Sequence, residues 1–108
     1  MSFSVYFNLF SENRFRRSDE ARQAEDLSEA IGLVESLKLQ EDILCVYLEE
    51  SGYKAEVIVE EGGYLFQLFL MNGFYKINCS KMIVIDLLRN IENVCKCPED
   101  FELIASEY

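Results

Sequence analysis

Residues 43–79 read "ILCVYLEESGYKAEVIVEEGGYLFQLFLMNGFYKINC", and this stretch decides the fold. Four apolar runs, 43–50, 53–60, 64–71 and 74–79, are separated by Ser51-Gly52, Gly62-Gly63 and Asn72-Gly73. Gly-Gly and Asn-Gly supply the positive φ that two-residue hairpin loops need. With two residues in each loop, Glu50 lies opposite Tyr53, Glu61 opposite Tyr64, and Met71 opposite Phe74. That register places Leu44, Val46, Leu48, Ala55, Val57, Val59, Phe66, Leu68, Leu70, Tyr75, Ile77 and Cys79 on one face. Every one is apolar, aromatic or a thiol, and a one-residue slip would break the set. The stretch predicts a four-stranded antiparallel meander. Its other face mixes Glu49, Lys54, Glu56, Glu60 and Lys76 with Tyr47, Ile58, Leu65, Phe69, Met71 and Phe74. In this register Glu49 faces Lys54 and Phe69 faces Lys76.

Upstream, residues 3–9 alternate: Phe3, Val5, Phe7 and Leu9 point one way, Ser4, Tyr6 and Asn8 the other, as in a half-buried strand. Residues 11–18 read as a polar loop. A helix is expected by about Glu25, or from Ser18 as N-cap, with Ala24, Leu27, Ile31, Val34 and Leu37 on one face. Glu25 and Asp26 would suit its N-terminal end. Downstream, Ser80 is placed to cap a second helix over about 81–95, with Val84, Leu87, Leu88, Ile91, Val94 and Cys95 as its stripe and Pro98 as its end. The tail adds a short strand or turn. The expected architecture is one α+β domain over 1–108. Its order is β-α-β-β-β-β-α: an antiparallel four-stranded meander plus an N-terminal strand, with two helices on the apolar sheet face.

Twenty Asp and Glu against ten Lys and Arg give a net charge of −10. Such a chain is repelled by nucleic acid and by anionic membrane, and it suits a basic partner or simple solubility. No apolar run reaches the ~18 residues that span a bilayer. "MSFSVYFNLF" lacks a basic n-region and a small-residue cleavage site, so a soluble, cytoplasmic protein is expected. The bases are uneven: Arg14, Arg16, Arg17 and Arg22 lie close together. They could form a mobile loop, join an interface, or pair with the acidic sheet ends.

Histidine is absent, which removes the commonest general base and metal ligand. Cys45, Cys79, Cys95 and Cys97 offer C-x-C but no second close pair, so they read as free thiols and not a zinc site. No P-loop, nucleophile elbow or dinucleotide fingerprint occurs. The chain is expected to be no enzyme and to carry no cofactor or metal.

Two carboxylate pairs need an account. Glu49-Glu50 and Glu60-Glu61 fall at opposite sheet ends, roughly 25–30 Å apart at ~3.3 Å per residue. They cannot share a small site; glycosidase carboxylates, for example, need ~5–9.5 Å. Pairing would set Asp42 opposite Glu61, with Glu41 and Glu60 beside them. The D-x-D-x-D-G loop of a calcium site is missing from this cluster. The pairs read as two acidic sheet ends.

The segment "LEESGYKAEVIVEEGGYLFQLFL" follows the helix "EDLSEAIGLVESL" and precedes a helix closed by "CPEDFELI". Together they resemble the immunity proteins of bacterial polymorphic toxin systems, with the closest likeness to the group accompanying secreted nucleic-acid deaminase toxins. The shared features are the Glu-Glu-Ser-Gly-aromatic hairpin at 49–53, the alternating strand after it, and Pro98-Glu99 closing the late helix. The chain departs from that group in having no tryptophan, with Phe101 or Leu103 in its place. The resemblance implies an inhibitor, monomeric or homodimeric, that covers the basic active-site region of a cognate protein toxin. It points to Glu49, Glu50 and Tyr53 as first contacts and Glu60 and Glu61 as second, with Tyr47 and Phe69 as anchors. Two other binders fit the composition: a secretion-type chaperone holding an effector segment, and a DNA-mimic inhibitor. The mimic fits less well, because the acids gather at sheet ends and along Glu25, Asp26, Glu29 and Glu35 instead of tracking a phosphate backbone.

Overall fold

The fold is taken from a computed structural model describing residues 2–21, 23–71 and 73–106. The strands are β1 (Phe3–Leu9), β2 (Arg14–Arg16), β3 (Gln23–Ala24), β4 (Ile43–Leu48), β5 (Tyr53–Glu60), β6 (Gly63–Leu70), β7 (Gly73–Cys79) and β8 (Ile104–Ser106). The α-helices are α1 (Ser28–Leu33), α2 (Lys81–Arg89) and α3 (Ile91–Lys96). Among the described residues all strands join one antiparallel sheet, ordered β2-β1-β4-β5-β6-β7-β8, with β3 also pairing β1. The α+β class and the central meander are as the sequence pattern implies.

One side of the sheet is the core. Phe3, Val5, Phe7 and Leu9 of β1 join Leu44, Val46, Leu48, Ala55, Val57, Phe66 and Leu68 of the meander in one buried cluster. Leu27, Ala30, Leu33, Val34 and Leu37 cover it from the α1 region, and Val84, Leu87, Leu88, Ile91 and Val94 from α2 and α3. Phe66 has no exposed surface, so its truncation to Ala would cost about 3–5 kcal/mol.

The registers differ from the expected ones. Leu48 faces Tyr53, Glu60 faces Gly63, and Leu70 faces Gly73. At β5–β6 and β6–β7 both closing residues lie one position earlier than expected, and at β4–β5 Tyr53 pairs two positions earlier in β4, so each register shifts by two and every face is preserved. Lys54 therefore faces Tyr47 and not Glu49, and Phe69 faces Phe74 and not Lys76. The glycines give the reason. Gly62 supplies the positive φ (82°) in the β5–β6 turn, whereas Gly63 already belongs to β6. A Cβ on Gly63 would stand 2.7 Å from the Cys79 carbonyl oxygen, so this glycine serves close strand approach. In the β4–β5 turn Gly52 (φ 75°) closes a longer loop, its N–H donating to the Leu48 carbonyl at 2.9 Å. The expected turn residue Asn72 lies outside the described residues.

The helices are shorter than their apolar stripes suggest. The first was expected from about Glu25 or Ser18; instead Ser18–Glu20 form a 3-10 turn and Ala24 pairs with Phe3 in β3. Asp26 starts α1 late by accepting from the Ser28 N–H (3.0 Å) and hydroxyl (2.6 Å). After Leu33 the chain tightens into a 3-10 turn, Val34–Ser36, and Leu37 stays buried beyond it. The second helix is broken at Asn90, whose side-chain amide donates to the Asp86 carbonyl at 2.8 Å. Ser80 caps α2 as expected, accepting from the Ile83 N–H. Pro98 opens a further 3-10 turn, Pro98–Phe101, which leads Leu103 into the core and β8 onto β7.

Candidate functional site

The carboxylates sort into two kinds, those already held and those left open. At the β4–β5 turn both acids are tied to the start of β1. Glu49 accepts a hydrogen bond from the Ser4 hydroxyl, and its N–H donates to the Ser2 carbonyl at 3.1 Å. Both oxygens of Glu50 accept from the Ser2 N–H, at 2.9 and 3.1 Å, which holds its carboxyl below the ordinary range. Tyr53 does not extend this tip outward: it begins β5 on the helix side and packs against the core.

At the opposite end Asp42 does not join an acidic cluster. It is wholly buried and accepts from the Ser11 N–H (3.1 Å), the Ser11 hydroxyl (2.5 Å) and the Lys38 and Leu39 N–H groups (2.9 and 3.0 Å). Burial alone would raise its pKa; these donors outweigh that and hold it at about 2. Asp42 is thus a knot joining the end of β1 to the entry of β4. The missed signal was Ser11 beside the polar loop, a donor whose partner is remote in sequence.

Glu60 and Glu61 remain open. Glu60 ends β5 and lines three adjoining shallow depressions, with Gln40 and Ile58, with Gly63 and Tyr64, and with Leu65 and Asn78. Glu61 is exposed in the turn, and exposed Glu41 precedes β4 at the same sheet end. Among the described residues these three make no side-chain hydrogen bond or ion pair.

Tyr47 and Phe69 lie on the face away from the helices. Pairing lays this face out in three rows. The first is Phe15, Asn8, Ile43, Ile58, Leu65, Asn78. The second is Tyr6, Cys45, Glu56, Gln67, Lys76, Ile104, and the third is Ser4, Tyr47, Lys54, Phe69, Phe74, Ser106. The third row is an ordered platform: Phe69 stacks on Phe74 with centroids 4.7 Å apart, and Lys54 Nζ sits 4.8 Å from the Phe69 centroid. Lys54 also bridges to Glu56 at 2.9 Å, which pushes its pKa up. The Cys45 thiol donates to Glu56 at 3.9 Å; burial and then the Glu56 charge push that thiol up to about 12. Tyr6 and Phe74 were not singled out from sequence. Tyr6 was hidden because nothing local says that β1 pairs with β4.

The arginine segment is settled locally and not at the sheet ends. Arg16 makes a two-pronged bond to Glu29 (2.7 and 3.0 Å), and its guanidinium carbon lies 5.0 Å from the Phe7 centroid. Arg14 pairs with Glu12, and Arg17 with Asp19 and Glu20. Arg22 lies outside the described residues. No described helix is long and apolar enough to cross a membrane.

Compared with protein-family models, curated proteins and solved structures, the chain matches none.

Proposed function

We propose that this chain is an immunity protein: it binds a cognate bacterial toxin in the cytoplasm and neutralises it by covering a basic, nucleic-acid-handling active-site region. The observation that carries the reading is the open acidic end at Glu60 and Glu61 on a chain of net charge −10. Unengaged carboxylates at an exposed turn steer a basic partner in and lose no internal hydrogen bond when they meet it. This moves the preferred contact from Glu49 and Glu50, which are held by Ser4 and Ser2, to Glu60 and Glu61. The role is that of a binder without cofactor or catalysis. The rival of a secretion-type chaperone draws support from the open sheet face, which would seat an effector segment.

The test is co-expression with the toxin encoded beside it. A stoichiometric complex and loss of toxin activity are expected, with association at low salt slowed about tenfold or more by Glu60→Lys with Glu61→Lys. A toxin that is neither bound nor inhibited by equimolar protein refutes the reading. Capture of a secreted effector without inhibition favours the chaperone.

A further inference from the structure

The face carrying Tyr47, Phe69 and Phe74 has a different character from the acidic end. Its own charges nearly balance: Lys54 and Lys76 stand against Glu49, Glu56 and Glu60, a net of one acid, and Glu49 is tied to Ser4 at one end while Glu60 lies at the other. The excess acid of the chain lies elsewhere. Four of its large, exposed apolar side chains sit on this face or at its rim: Phe15 (47%), Phe10 against Phe15, Met71 at the β6–β7 turn (81%), and Ile104 (69%). A basic partner has little to recognise here. Two copies of a chain of net charge −10, in contrast, approach each other with least repulsion through its most nearly neutral surface.

We infer that the open sheet face is the interface between two copies of this chain. Six strand spacings of ~4.8 Å and three rows at ~7 Å give about 600 Å² of flat face from each copy. Two copies then bury about 1,200 Å², the lower bound of a stable specific interface. Face-to-face packing at ~10 Å lets the Ile43, Ile58 and Leu65 row and the Phe69–Phe74 platform interdigitate, with the helices outermost. The Glu60–Glu61 turns stay at the ends of the dimer, where two partners can reach them.

Sedimentation velocity on the purified chain, over a wide concentration range, tests this without any toxin. A species of twice 12.6 kDa is expected, strengthened by added salt because salt screens the repulsion of two net-negative copies. Lys76→Glu, an exposed change that tips the face acidic, should weaken the dimer about a hundredfold, as should Phe69→Asp. Glu61→Lys should leave it intact. An unchanged circular dichroism spectrum for Lys76→Glu separates dissociation from unfolding. A monomer at every concentration overturns the inference, and so does a dimer that survives both folded variants. Either result leaves the acidic-end reading standing, since that reading is tested with the toxin alone.

Discussion

Replacing Asp42 tests the structural reading most directly, because a sequence reading made it an acidic surface group and the fold makes it a buried acceptor. Its Oδ2 takes the Ser11 hydroxyl and the Lys38 and Leu39 N–H groups, and its Oδ1 takes the Ser11 N–H. In Asp42→Asn the amide oxygen can serve the crowded side. The new NH2 then confronts the Ser11 N–H, and the remaining bonds lose their charge assistance. That costs about 2 kcal/mol. Asp42→Ala strands three N–H groups and should cost about 3–4 kcal/mol after partial rehydration. At about 4 °C per kcal/mol for a domain of this size, melting falls by about 8 °C and about 14 °C. The carboxyl is held at about 2, below its ordinary ~3.9, so its stabilisation is complete above about pH 5 and drains as pH falls towards 2. The gap between wild type and Asp42→Asn in thermal melts should therefore be widest at neutral pH and close through that window. A gap that is absent at pH 7, or unchanged down to about pH 2.5, refutes the buried-acceptor account.

Three further outcomes follow. Arg16→Lys keeps the charge but loses the fork to Glu29 and the cover over Phe7, so chemical denaturation should show a loss of about 1 kcal/mol; an unchanged midpoint would mean the clamp contributes nothing. Glu102 sits in the left-handed region at φ 68°, and Glu102→Gly should stabilise by about 0.5–1 kcal/mol in the same assay, with destabilisation contradicting the strain. Thiol labelling at neutral pH should modify exposed Cys97 first, because burial pushes Cys79 and Cys95 up to about 11 and Cys45 up to about 12; Cys45 labelling at the Cys97 rate would show the face to be more open than described.

Which side chains share a face was legible in the sequence, because alternation carries that information and survives a shift of two. The registers were not. Gly63 and Gly73 resemble turn residues, yet they are strand residues that let Cys79 and Tyr75 come close. The apolar stripe from Leu27 to Leu37 was real, but Asp26 and the pairing of Ala24 with Phe3 cut the helix that was expected to carry it. Of the candidate contacts, Glu60 and Glu61 emerge open and Tyr47 and Phe69 share one row. Glu49 and Glu50 emerge held, and Tyr53 turns to the core. What separates these outcomes is β1, whose position beside β4 depends on residues far apart in the chain.

That position has a kinetic consequence. β1 is synthesised before the other strands of this sheet, yet it lies inside it, between β2 and β4. Strands β4 to β7 can zip together through short turns, each closing a small loop at little entropic cost. β1 gains its long-edge partner only when the chain from Leu9 to Ile43 closes on itself, the longest loop between paired strands here. On the ribosome its apolar side chains therefore leave the exit tunnel well before residues 43–48 arrive to receive them. Late long-range pairing of this kind leaves an apolar strand uncovered, so β1 is the strand of this sheet most exposed to aggregation during folding.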